Sequence, residues 1–367
     1  MRYALIGSGM MGREHVRNIA LMPGAALVAL SDPVESSRAE TAALAASRGL
    51  GMPRMHEHHG ALLAAGGFDA LVIASPNHTH HAIMVDCLAT PAPILVEKPL
   101  ATMVDHAWEL ERMARSRAAP VWVAMEYRYM PPVARLIEAV RAGEAGALKM
   151  IAIREHRFPF LDKVGGWNRH ERFSGGTMVE KCCHFFDLMR LLAGAEPVRA
   201  VGSGAHDVNR LVADAHGAPA DVIDNAFVIV DFANGVRGCL DLCMFAEGAW
   251  FQEEIAATGD RARVEAKVPG PARFWPGGAE RASEFIVSPR EPKAPLREEI
   301  HVDETVLAAG DHHGSTFYQH QRFLDICRNG GAPEVCMRDG AIAVEVGLAA
   351  EKAIRTGQPV GIDIAGR

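Results

Sequence analysis

Short apolar runs alternate with longer amphipathic stretches through the first third of the chain. Tyr3–Ile6, Ala26–Leu30, Ala70–Ala74 and Ile94–Val96 are compact hydrophobic runs, the pattern of strands buried on both faces. Between them Met11–Leu21, Glu35–Ser47, Thr79–Leu88 and Thr102–Arg115 carry helical spacing. This rhythm predicts βαβ units, hence a parallel sheet with helices on both faces. After about residue 125 the pattern changes. Ala226–Phe232, Val236–Met244 and Glu253–Ala257 read as antiparallel strands, with Asn234-Gly235 as the turn of one hairpin. The stretch 270–300, rich in Pro and charge, predicts a loop-bearing excursion of that second sheet. Gly340–Arg355 predicts an amphipathic helix capped by Gly357.

The division that follows is a Rossmann-type α/β domain over 1–125 and an α+β domain over 126–367. The final helix, 340–355, is expected to pack back on the first. Hydrophobic residues make up 49% and charged residues 23% of 367, the balance of a globular protein large enough for two domains. A net charge of −7 argues against nucleic acid or an anionic membrane as the main partner. No run is long and apolar enough to predict a membrane span. A strand-like run begins at Tyr3 and leaves no room for a cleavable leader, so a cytoplasmic protein is expected. The seven cysteines show no framework spacing, as expected of reduced thiols.

Residues 7–12, GSGMMG, form a G-x-G-x-x-G directly after the first strand and before a helix. Gly7 permits the tight turn, Gly9 a close approach of backbone to a pyrophosphate, and Gly12 close helix–strand packing. The helix start, with Ser8, Met10 and Met11, offers free N–H groups and partial positive charge. Asp32 ends the second strand, where a carboxylate receives the adenosine ribose hydroxyls and repels a 2′-phosphate. NAD is therefore expected over NADP.

Residues 180–187, EKCCHFFD, raise a separate question. If they lie on one helix, Cys182, Cys183 and His184 rotate by about 100° per residue and cannot converge on one tetrahedral metal. No metal is expected, and the cysteines read as packing residues. Glu180 and His184 at i and i+4 share a helix face. Either they do chemistry, or Glu180 satisfies a core histidine.

Two further motifs follow strands: ASPNHTH at 74–80 and EKP at 97–99. Together with GSGMMG, SGGT ahead of His184 and TGQPV at 356–360, they make the chain resemble the glucose–fructose oxidoreductase/inositol dehydrogenase/MocA family. The resemblance runs essentially end to end. It implies a Rossmann domain followed by a domain built on a large, mostly antiparallel sheet, with the active site between them. It also implies a homodimer or homotetramer assembled through that sheet, and a cis Lys98–Pro99 bond.

The activity implied is NAD-dependent oxidation of a secondary alcohol on a sugar, sugar derivative or cyclitol. His184 would be the general base, Lys98 would stabilise the alkoxide, and Glu180 would hold His184 or a second hydroxyl. Relatives carry Asp where this chain has Glu180, which puts the choice of substrate in doubt. Lys98 also stands out by position, since it follows a strand at the carboxyl edge, where ligands bind in doubly wound folds. Partial desolvation there is expected to lower its pKa toward working pH. Ser75, Pro76, Asn77, His80 and Glu97 are expected along the cofactor, Glu97 alternatively orienting Lys98. Trp167, Asn168, Arg128, Arg157 and His313 are candidate substrate contacts, each with a structural alternative. Two rival readings share these motifs: transient use of NAD for elimination, hydrolysis or epimerisation, and a non-catalytic dinucleotide-binding regulator.

Overall fold

The computed structural model describes residues 1–211, 217–279 and 281–367. Its first sheet contains β1 (Arg2–Ile6), β2 (Ala26–Ser31), β3 (Arg54–His56), β4 (Ala70–Ile73), β5 (Ile94–Glu97) and β6 (Val121–Ala124). All are parallel, in the order β3-β2-β1-β4-β5-β6. The order reverses between β1 and β4, so the loops after these two strands diverge and leave a crevice at the carboxyl edge. Four of the strands coincide with the apolar runs. The short edge strand β3 exposes Arg54 and Met55, so no hydrophobic run announces it. The Val121–Ala124 run of β6 is as apolar as its neighbours and carries the first pattern up to the change of rhythm.

The second sheet is nine-stranded. Its strands are β7 (Leu148–His156), β8 (Pro197–Ala205), β9 (Asn225–Phe232), β10 (Arg237–Cys243), β11 (Glu253–Gly259), β12 (Ala262–Val268), β13 (Ser283–Pro289), β14 (Leu296–Ile300) and β15 (Val360–Gly361). They lie in the order β14-β13-β12-β11-β7-β10-β9-β8-β15. Every pairing is antiparallel except β7 with β10. The expected hairpin joins β9 to β10, with Gly235 at φ +83°, a left-handed conformation that costs glycine little. The stretch 270–300 is more ordered than its composition suggests, since it holds β13 and β14.

Strict alternation on β9 and β10 buries Ala226, Val228, Val230, Leu240 and Leu242 on one face. The opposite face carries exposed Phe227, Ile229 and Met150, at 63%, 46% and 56% of full exposure. The helix Met337–Thr356, capped by Gly357 at φ +65°, lies between the two sheets. A side chain at Gly340 would press on Val123 and Leu100, and Trp108 Nε1 donates to Glu345 at 2.6 Å. One hydrophobic core therefore continues from the first sheet through this helix to the second. Among the described residues no helix is long and apolar enough to cross a membrane.

Candidate active site

The glycine loop has the geometry its spacing predicts. Gly7 adopts φ +91°, and a Cβ there would lie 2.5 Å from the backbone at Ala74 and Ser75. A Cβ at Gly12 would collide with the carbonyl oxygen of Gly7, whereas one at Gly9 would meet nothing within 4 Å. Two glycines thus hold the loop tight and the third leaves open space. Helix Met10–Ile19 begins there without a side-chain cap, so its first N–H groups are available to an anion. Asp32 buttresses the loop, its carboxylate accepting from Ser8 N at 2.8 Å and Val34 N at 2.9 Å. Each oxygen keeps lone-pair capacity for ribose hydroxyls. These residues fit a dinucleotide.

On the neighbouring loops, Ser75 Oγ accepts from Thr79 Oγ1 at 2.8 Å. Buried His80 lies between the carbonyls of Pro99 and Ser75, at 2.7 and 2.9 Å. It therefore ties the loop after β4, including Pro76, to the one after β5. The Lys98–Pro99 bond is cis, as the resemblance implies. Glu97 is buried, 2.9 Å from His15 Nε2, and its other oxygen accepts from the Lys98 backbone N–H. His15 in turn meets His320 at 2.9 Å. Glu97 is thus placed to orient Lys98.

Beyond these loops lies a cleft between the sheets, lined by Met10, Met11, Lys98, Glu126, Arg157, Asn168, Glu180, His184 and His312 among others. Lys98 Nζ donates to the Glu180 carbonyl at 3.0 Å. Burial opposes its charge, but Glu180, the Cys183 thiol, Glu97 and Glu126 outweigh burial and hold its pKa above the ordinary value. This reverses the expected direction: the carboxylates around Lys98 overcome its desolvation, and it stays an ammonium.

The segment around His184 departs from a single helix. A short turn, Thr177–Glu180, ends at Lys181, and a new helix starts at Cys183. With that break the Glu180 side chain goes elsewhere. It accepts from Lys163 Nζ at 2.9 Å and from Asn77 Nδ2, which also donates to the Ser174 carbonyl at 3.1 Å. Burial would raise the Glu180 pKa, but Lys163, Lys98 and the Asn77 hydrogen bond bring it down to about 2. His184 instead stacks on Tyr127, with ring centroids 4.1 Å apart and planes at 8°. Its Nε2 lies 4.0 Å from Glu126 Oε1, and its buried Nδ1 has no hydrogen-bond partner. Burial, then the charges of Lys98, Lys181, His312 and Arg157, hold its pKa far below the usual imidazole value. His184 is therefore a neutral imidazole, competent to accept a proton. Cys182 and Cys183 are buried and free.

The remaining candidates divide. Arg157 and Asn168 line the cleft. Arg157 pairs with Glu155 at 3.3 Å, and Asn168 donates to the Leu161 carbonyl at 3.0 Å, leaving its own buried oxygen unpartnered. Trp167 sits behind Lys163, whose ammonium lies 4.5 Å from its ring centre, and so supports Glu180 at one remove. Arg128 is turned away, clamping buried Asp187 through Nε at 2.6 Å and through Nη2, which makes it a packing ion pair. His313 also departs from the expectation. It faces the larger neighbouring cavity beside Gly310 and Arg273, while His312 enters the cleft. His312 Nδ1 meets Glu14 at 2.7 Å. Burial opposes its charge, but Glu14 and Glu126 raise its pKa to about 9. Glu126 and His312 were not among the residues singled out from sequence. Glu126 lies two residues past the end of a parallel strand, on the same sheet edge as Lys98, and that position was the available signal.

Comparison with known proteins places this geometry. The model described as "Oxidoreductase family, NAD-binding Rossmann fold" matches residues 1–125, and "Oxidoreductase family, C-terminal alpha/beta domain" matches 137–362. The chain is 26% identical to scyllo-inositol 2-dehydrogenase (NAD(+)) of Bacillus subtilis, over 99% of this chain and 97% of that protein. It is 22% identical to myo-inositol 2-dehydrogenase of Thermotoga maritima, over 99% of each. Among solved structures, levoglucosan dehydrogenase in complex with NADH superposes with a TM-score of 0.80 over 99% of each chain, at 17% identity.

Proposed function

We propose, from the premise that the chain belongs to the glucose–fructose oxidoreductase/inositol dehydrogenase/MocA family of oxidoreductases, that it oxidises a secondary alcohol of a cyclitol or sugar. The enzyme is an NAD-dependent oxidoreductase acting on CH–OH donors. The observation that carries the reading is the meeting of Lys98 and neutral His184 in one cleft beside the glycine loop. NAD, when bound, supplies the hydride acceptor.

The chain's own residues handle orientation, charge and the proton. Gly7, Gly9, Gly12 and the helix start hold the pyrophosphate, and Asp32 holds the adenosine ribose. His184 takes the hydroxyl proton as general base, a contribution of about 10²–10⁴-fold. The Lys98 ammonium stabilises the developing alkoxide. Glu180, fixed by Lys163 and Asn77, anchors the Lys98 side of the cleft. Arg157 and Asn168 are the substrate contacts the cleft favours. The likeness to the two inositol dehydrogenases named above supports a polyhydroxylated ring as substrate.

The open face of the second sheet, with Phe227, Ile229 and Met150, is the surface for pairing with a second copy in a homodimer or homotetramer. Light scattering on wild type and Phe227→Asp tests that assembly.

The activity test is NADH formation with a panel of inositols, aldoses and anhydrosugars. One member reduces NAD⁺ with a ketone as product. If substrate is consumed with no net NADH and product analysis shows elimination or epimerisation, the net-oxidation reading is wrong.

A further inference from the structure

Glu126 opens the short turn Glu126–Tyr129, separated from β6 by Met125 alone, at the carboxyl edge of the first sheet. It is 0% exposed, and neither carboxylate oxygen has a hydrogen-bond partner. A buried carboxylate left this way is costly, so its neighbours matter. Two histidines present Nε2 to the same oxygen, Oε1: His184 at 4.0 Å and His312 at 3.8 Å. His312 is held from behind by Glu14, which also accepts from Thr316 Oγ1 at 2.9 Å. His184 is held by its stack on Tyr127.

We propose that Glu126, and not Glu180, is the carboxylate partner of His184, stabilising the imidazolium formed when His184 takes the substrate's hydroxyl proton. The inference rests on the reading of His184 as base. The i, i+4 spacing offers this role to Glu180, but Glu180 is already paired with Lys163 at 2.9 Å and hydrogen-bonded by Asn77. Around His184 stand Lys98, Lys181, His312 and Arg157, all opposing a positive charge on the ring. Glu126 is the carboxylate at ion-pair distance that favours it. Nδ1 is fully buried, so Nε2, the ring nitrogen on the Glu126 side, is the one that takes the proton. The present separation is long for a hydrogen bond, and catalytic contacts of this kind tighten when ligands bind.

The proton balance is simple. With NAD⁺ bound, the carbinol C–H bond would break with its electron pair passing to the cofactor, while the O–H proton moves to His184 Nε2 and the C=O bond forms. The added charge lies between His184 and Glu126, and after product release the pair returns one proton to solvent.

The groups facing Glu126 set where this pair titrates. Burial and the Glu97 carboxylate, with Glu14 further off, push its pKa up to about 7 against the opposing charges of His312 and Lys98. Protonation of Glu126 near that pH removes the negative charge that favours an imidazolium at His184, and the base is then weakened. With a neutral residue at 126, His184 titrates alone and far lower.

The test compares wild type, Glu126→Gln, Glu126→Leu and His184→Ala. NAD⁺ binding by fluorescence confirms that each is folded. Both position-126 variants are expected to lose on the order of 10²-fold in kcat. The acid limb of kcat/KM moves down by about one pH unit or more. In the unliganded protein, the His184 ring, its NMR signal assigned by loss in His184→Ala, titrates at lower pH in the variants than in wild type. Two results overturn the inference: rate and acid limb unchanged, or a lower rate with neither the limb nor the His184 titration moved, which is what a merely structural Glu126 gives. If His184→Ala keeps its turnover, the reading of the base itself fails, and that outcome is distinct from both. Leu fills the space without a polar atom to satisfy, so it carries the same prediction should Gln fail to fold.

Discussion

Gly7, Gly9 and Gly12 lie within one short stretch of chain and act through backbone. Glu14, Lys98, Glu126, Glu180, His184 and His312 reach a single cleft from separate loops and helices. The two regions adjoin at the carboxyl edge of the first sheet, yet they respond to change differently. In the glycine loop, function follows from where a Cβ cannot be, a property of local geometry. In the cleft, function follows from which charges are left unpaired once long-range packing is complete. The first rests on a few backbone contacts, among them those of Gly7 with Ala74 and Ser75, and the second on packing across the molecule.

Substitutions should separate the two. The largest effect is expected from Lys98→Met, which removes the ammonium that the proposed mechanism sets beside the reacting oxygen. Its kcat should fall by about 10³-fold with NAD⁺ affinity nearly unchanged, checked by steady-state kinetics and calorimetry. Loss of binding in step with kcat would erase the distinction between the regions.

Gly12→Ala should do the opposite. Its Cβ collides with Gly7 O, and about 3 kcal/mol of stability is expected to be lost. NAD⁺ affinity should fall at least tenfold, roughly 1.4 kcal/mol. Thermal melts with and without NAD⁺ measure both.

The smallest effect lies in the pH dependence of stability. The His312 pKa is raised from 6.5 to about 9 by Glu14 and Glu126 against burial. A raised folded-state value means its contribution is fully present below pH 6.5 and is lost as pH rises through 9. That contribution is up to about 3 kcal/mol by linkage. Denaturant titrations of wild type and His312→Asn should differ most at or below pH 6.5 and converge by pH 9 to 10. A constant difference across that range would show that the histidine carries no charge in the fold.

The same contrast explains what the sequence disclosed. The parallel sheet, the glycine loop, Asp32 and the position of Lys98 are local patterns, each readable within a few residues. The break at Lys181–Cys182 is not, because EKCCHFFD has uninterrupted helical patterning. The break becomes visible only once Lys163 and Asn77 claim Glu180. Choosing between His312 and His313 depends on a turn that puts His313 at φ +50°, and nothing in DHHGS indicates which ring faces inward. Arg128 carried charge next to apolar residues, a feature shared by binding arginines and by ion pairs. Its partner Asp187 lies 59 positions away, so the pairing has no local signature. Glu126 was concealed by the apolar run before it, although it lies just past the carboxyl end of a parallel strand, on the same edge as Lys98.

The most direct measurement is single-turnover NADH formation by His184→Ala with the substrate that the panel identifies, beside NAD⁺ and substrate affinities for the same variant. The account predicts a loss of at least about 10²-fold in the chemical step with both affinities preserved. Turnover close to wild type, with both ligands still bound, would contradict it and move the base to another group of the cleft.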